Sequence, residues 1–203
     1  HGLFVDYLQS FFFKILGVNW HAYIFHGSVF NLIITIFSFS IFKKFEINTL
    51  YAFLLSLCIS ILAYPVSATP FLDLHSAFFS LIAMYFLLLF VKNNNSYNLF
   101  CAIIITGLAF LSKQVPVGYF ILLITFFIFF YSYQIKSIQP LILSLLSSLF
   151  FVGMLLAYLL LTKTNFVDFF IQLFLFPITI AQTRQENYEL NIKDIILSYK
   201  FIH

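Results

Sequence analysis

The stretch FLDLHSAFFSLIAMYFLLLFVKNNNSYNLFCAIIITGLAFLSK, residues 71–113, decides the fold. Residues 71–91 form an apolar run that, as a helix rising about 1.5 Å per residue, reaches roughly 30 Å and crosses the hydrocarbon core of a bilayer. Lys92-Asn93-Asn94-Asn95-Ser96 then turns the chain, and a second apolar run at about 97–112 brings it back to Lys113. The two ends of this pair differ chemically. One carries the lysine-bearing turn, the other Asp73, His75 and Lys113. Short loops rich in lysine stay in the cytoplasm, so Lys92 marks the inner end and Asp73 and Lys113 mark the outer one.

The alternation extends in both directions. Upstream, Lys43-Lys44 end a span at about 22–42, entered past Trp20 and Tyr23 as interfacial aromatic anchors. A span at about 47–63 follows and stops at Pro65, and Thr69-Pro70 opens the next. Downstream, Lys113-Gln114-Val115-Pro116 turns the chain, Pro116 biasing Val115 away from helical geometry. Spans at about 117–133 and 141–161 then flank Lys136. Residues 3–16 reach only roughly 21 Å as a helix. They carry Asp6, Gln9 and Ser10 at helical spacing as a polar stripe, and so read as an interfacial helix. Residues 165–177, interrupted by Asp168 and Gln172 and ended by Pro177, read as a second one on the outer face. Residues 178–193 are polar, mixed in charge and expected outside the bilayer core. The expected fold is all-α, a polytopic transmembrane helical bundle of about six spans plus two interfacial helices. No repeat or linker divides it, so residues 1–203 read as one transmembrane domain.

Composition agrees. The 203 residues are 63% hydrophobic, 22% aromatic and 8% charged, with a mean hydropathy of +1.04. Soluble domains average about 25% charged residues, so water could not solvate this surface. The net charge of +3 is dispersed into short turns, and no nucleic-acid partner is implied. Cys58 and Cys101 both lie in apolar runs and read as small buried hydrophobes rather than a disulfide. The chain starts at His1 and stops in Tyr199-Lys200-Phe201-Ile202-His203 as another apolar stretch begins. It is therefore expected to be an internal fragment, truncated at both ends and inactive alone.

Four ionisable residues stand out at the outer ends. Asp73 lies one turn into its span, where a carboxylate complements the helix dipole by roughly 0.3–1 kcal/mol. It also shares a face with Ser76, Ala77 and Ser80, and such a small polar stripe either packs helices closely or lines a wet cavity. His75 lies near the opposite face and is poorly placed to share a site with Asp73; it is retained as a candidate substrate-binding residue. Lys113 ends a span of only roughly 24 Å, below the membrane surface. There it either snorkels outward or pairs with an anion such as a lipid phosphate. Arg184 is the single arginine among ten basic residues. Its guanidinium grips phosphate in a fork that an ammonium cannot form; a solvated loop arginine beside Glu186 and Glu189 is the alternative. The five histidines show no metal-ligand spacing, and no glycine-rich phosphate loop or nucleophile elbow occurs.

Several segments resemble the membrane-embedded, lipid-phosphate-dependent glycosyltransferases of the GT-C superfamily, above all the bacterial relatives of protein O-mannosyltransferases and aminoarabinose transferases (glycosyltransferase family 39-like). His1-Gly2-Leu3-Phe4-Val5-Asp6-Tyr7-Leu8, with Phe13-Lys14-Ile15-Leu16-Gly17, is similar to the family's GPLxxYL…FKLFG segment, an interfacial helix of the first outer loop. Leu3 stands where the family has proline. Thr69-Pro70-Phe71-Leu72-Asp73 resembles the stretch that places an aspartate beside the catalytic cavity. Gly107-Leu108-Ala109-Phe110-Leu111-Ser112-Lys113 is similar to GLAFLxK, whose lysine lies near that cavity. Phe176-Pro177-Ile178 with Arg184 resembles an outer loop that helps hold the lipid phosphate.

The resemblance implies an inverting transfer of a sugar from a polyprenyl-phosphate donor to a cell-envelope acceptor: lipid, glycan or protein. Lys113 and Arg184 would neutralise the leaving phosphate. A carboxylate would take the acceptor's proton, either Asp73 or an acidic residue of the first outer loop that Asp73 orients. The family's principal acidic residues would precede His1. The expected setting is a bacterial inner membrane, with membrane lipid around the chain and the active site facing the periplasm. No cofactor is called for, and a divalent metal ion is left open. The competing reading is a multi-span transporter, flippase or polymerase of lipid-linked glycans, which a transporter's mid-plane charges and paired halves would favour.

Overall fold

A computed structural model describes residues 3–67 and 72–179, without the side chains of 64–67. All regular structure among them is helical. The helices are α1 (Leu3–Leu16), α2 (Trp20–Lys44), α3 (Thr49–Ser67), α4 (Leu72–Asn93), α5 (Ser96–Ser112), α6 (Gln114–Gln134), α7 (Gln139–Leu161) and α8 (Phe166–Phe170), the last running into a π-helical turn at Ile171–Leu175. Two compact units result, His1–Tyr158 and Leu159–His203.

In the first unit α2, α4, α6 and α7 are each long and apolar enough to cross a membrane, while the apolar parts of α3 (Thr49–Ala63) and α5 are shorter. This is an all-α membrane bundle, as expected. Large side chains such as Leu122, Phe126, Leu145 and Leu149 stay exposed, as a surface facing lipid requires. The densest packing is between α4 and α5, then between α2 and α3. Leu87 and Phe90 of α4, Leu99 and Ala102 of α5, and Ile124 and Ile128 of α6 form the main buried cluster.

Two of the lysine turns are closed by backbone hydrogen bonds of one kind. Past α2, Glu46 takes φ +64°, its N–H donates to Lys43 O, and the Ile47 N–H donates to Phe42 O. Lys136, at φ +52°, repeats the pattern past α6, donating to Tyr133 O while the Ser137 N–H donates to Ser132 O. These are Schellman closures built without glycine. The ends then gather. Lys92 Nζ donates to Lys44 O at 2.6 Å and to Glu46 Oε1 at 3.3 Å, and the Phe90 ring meets Tyr131 with centroids 5.3 Å apart. The turns of Lys43-Lys44, Lys92 and Lys136 thus share one end of the bundle.

α1 lies across the other end. Phe4 meets Phe79 of α4, Tyr7 meets Tyr158 of α7, and Phe12 packs on Phe25 and His26 of α2. These partners sit toward the same end of their helices, so α1 crosses helix ends instead of running beside one helix. Its buried anchor is Val5, 2% exposed. Gly17, at φ +81°, lets the chain turn, and Asn19 ties the corner. Its Nδ2 donates to Leu16 O and its Oδ1 accepts from the Ala22 N–H, each at 2.8 Å.

Four local expectations change. Helix α3 continues past Pro65 to Ser67, because a proline near a helix end removes only one backbone hydrogen bond. α6 starts at Gln114, not after Pro116. Pro116 occupies the first turn, where N–H groups have no intrahelical partner to lose. Gln9 leaves the polar stripe of Asp6 and Ser10 and turns into the bundle. In the second unit the helix passes Pro177 and runs Phe166–Thr179. The wide turn before it, in which the Phe176 N–H donates to Ile171 O, relieves the clash a proline ring makes with the preceding turn.

Candidate functional site

Lys113 is the one residue between two helices. Its backbone is extended, φ −156° and ψ 127°, and its N–H donates to Ala109 O at 3.0 Å, closing α5. α6 begins at the next residue, so the chain reverses on Lys113 itself. The corner aims the side chain at the first turn of α4, where the ammonium forms an ion pair with Asp73 Oδ1. Asp73 is in turn braced by Ser76, whose hydroxyl donates to the Asp73 carbonyl at 2.8 Å.

The pair is open to water. The Lys113 side chain is 36% exposed and that of Asp73 is 68% exposed. An exposed ion pair contributes about 0–1 kcal/mol, so an incoming anion can displace the carboxylate at little cost. The stripe expected from Asp73, Ser76, Ala77 and Ser80 is not a single surface, since Asp73 and Ala77 are exposed while Ser76 is turned inward.

At the same end of the bundle as the pair lies an apolar chamber of about 220 Å³, roofed by Leu3, Phe4 and Tyr7 of α1 and walled by α5 and α7. Leu111 lines it, two residues before Lys113. Phe151 separates it from a second cavity of about 280 Å³ among α5, α6 and α7, which carries the hydroxyls of Thr106, Thr125, Ser144 and Ser148. Phe151 sits there because Gly107 has no Cβ; one would fall 2.5 Å from the ring.

His75, a further sequence candidate, does not join the pair. His75 is fully buried, and its Nε2 lies 3.1 Å from Nε2 of His26. Arg184 lies outside the described residues. Among the described residues no group of three or more His, Cys, Asp or Glu is placed to hold a metal ion. Sequence reasoning missed His26 and Gln9. Their one signal was the placement of two histidines near the same end of two spans.

No curated protein and no solved structure matches the chain. A family model does match, that of dolichyl-phosphate-mannose-protein mannosyltransferase, over residues 1–158. That family comprises membrane glycosyltransferases drawing on polyprenyl-phosphate-linked sugars, in keeping with the apolar helices and with the segments around Asp73 and Lys113. The match covers more than three quarters of the sequence, and the chain belongs to the dolichyl-phosphate-mannose-protein mannosyltransferase family.

Proposed function

We propose that the full-length protein transfers a sugar from a polyprenyl phosphate to a cell-envelope acceptor at the outer face of a bacterial inner membrane, with inversion. The observation that carries this reading is the Lys113–Asp73 pair, which joins an accessible cation and an accessible carboxylate at the same end of the bundle as an apolar chamber. It lies at the end of the bundle opposite the lysine turns. A lipid-borne phosphate needs that combination, with its tail in apolar surroundings and its head on a cation.

The chemistry follows from charge. The acceptor's hydroxyl or amine attacks the anomeric carbon, and the carbon–oxygen bond to phosphate breaks with its electron pair going to the phosphate. Lys113, with Arg184 beyond the described residues, stabilises the charge growing there. The arriving phosphate draws Lys113 from Asp73, and the released carboxylate either accepts the acceptor's proton or orients the acidic residue that does. Direct displacement leaves no covalent intermediate on the protein.

The test is transfer from a radiolabelled polyprenyl-phosphate sugar by the full-length protein in nanodiscs. The reading requires donor-dependent glycosylation of a membrane acceptor. Movement of the intact donor between leaflets with no product would instead establish the flippase reading.

A further inference from the structure

We infer that Gln9, His26 and His75 are positioning residues, forming a hydrogen-bonded relay that holds α1 in place as the roof of the apolar chamber at the Lys113 end of the bundle. The relay runs through three helices. Gln9 of α1 places Oε1 2.7 Å from His26 Nδ1, and His26 of α2 places Nε2 3.1 Å from His75 Nε2 on α4. Both histidines are 0% exposed. The Phe12 ring stacks on His26 at 4.6 Å, and Phe30 packs against both imidazoles.

Proton count sets the direction of the chain. An amide oxygen only accepts, so His26 donates through Nδ1–H. A neutral His26 then has a bare Nε2, which accepts from the Nε2–H of His75. Each imidazole thus fixes the tautomer of the next, and Gln9 terminates the series. Away from water such a chain is costly to break, because each lost partner leaves a buried polar atom unsatisfied.

What the relay holds is α1. That helix meets the bundle mainly through apolar rings, which carry little directional preference, and Asn19 ties only its last residue, Leu16. A directional bond from Gln9 selects one roll, with Val5 inward and Leu3, Phe4 and Tyr7 over the chamber. The relay rests on this geometry alone. Its service to the donor rests on the transfer reading above.

The two parts are separable by experiment. In a cysteine-free full-length protein in nanodiscs, Val5→Cys reports lifting of α1 through its rate of alkylation by N-ethylmaleimide. Gln9→Leu keeps the volume and removes the acceptor, and it should speed alkylation roughly 3- to 10-fold. Gln9→Glu keeps an acceptor and should react at the parental rate; His26→Phe keeps the ring packing and should behave like Gln9→Leu. A merely packed Gln9 predicts the opposite sign, because its Nε2 is buried without a partner and leucine would relieve that defect. Alkylation of the Gln9→Leu protein at or below the parental rate overturns the relay. For the second part, Gln9→Leu should raise the donor KM more than it lowers kcat. Faster alkylation with an unchanged donor KM overturns the link to the chamber. A parent without transfer activity refutes the transfer reading while the alkylation contrast still decides the relay.

Discussion

The Lys113 ammonium meets the Asp73 carboxylate across forty positions of sequence, pinning the α5–α6 corner to the first turn of α4. Each residue alone has a plain explanation, Asp73 as a helix-dipole carboxylate and Lys113 as a snorkelling lysine. In the reaction we propose they act together, Lys113 as a cation for the phosphate and Asp73 as a carboxylate freed by its arrival.

Asp73→Asn keeps the shape of the side chain and removes its charge. The exposed pair contributes at most about 1 kcal/mol, so the variant should insert and fold normally. Transfer by the full-length enzyme should fall on the order of 10²-fold, as for a proton acceptor or the residue that orients one. Activity close to the parent's would return Asp73 to the role of a helix-dipole residue.

Sidedness is open to chemical labelling. Asn94 stands in the turn beside Lys92, and Ser67 ends α3 at the opposite end of the chain's alternation. With the lysine turns in the cytoplasm, an impermeant thiol reagent on intact cells should modify Ser67→Cys and spare Asn94→Cys. The reverse pattern would invert the protein in the membrane and take Asp73 and Lys113 away from the outer face.

Gly107→Ala should drive the Phe151 ring off its present seat, since the new Cβ would fall 2.5 Å from it. Cavities flank Phe151 on both sides, so the ring has room to move and the cost should be about 1 kcal/mol, the low end for overpacking. Thermal unfolding in detergent measures it. In a Phe151→Leu background the cost should disappear; the same loss in both backgrounds would show that the helices, not the ring, resist the methyl group.

Much of the fold was legible because lysine turns and apolar run lengths report directly on the bilayer. Helix ends were harder. Glu46 and Lys136 close their helices in left-handed geometry without the glycine that usually announces it. Pro116 looked like a break and is a first-turn residue, where a missing N–H costs nothing. At the site, Asp73 and Lys113 were visible as charges at the outer ends of apolar spans, each with a plain alternative explanation, but their pairing depends on how α4 and α5 align. The relay was invisible for the same reason. His26 and His75 are 49 residues apart, and periodicity could not tell which side of a polar stripe Gln9 joins. Arg184 lies outside the described residues, and its part stays a proposal.

The most direct test of the account is the dependence of transfer rate on polyprenyl-phosphate-sugar concentration for Lys113→Met and Lys113→Arg in nanodiscs. Methionine keeps length and apolar packing without charge, so the protein should fold while the donor KM rises and kcat falls as the leaving phosphate loses its cation. Arginine keeps the charge on a larger, planar head and should restore the rate only in part. A Lys113→Met enzyme with the parent's donor dependence and rate would contradict the account, leaving Lys113 a snorkelling lysine and the pair with Asp73 a surface contact.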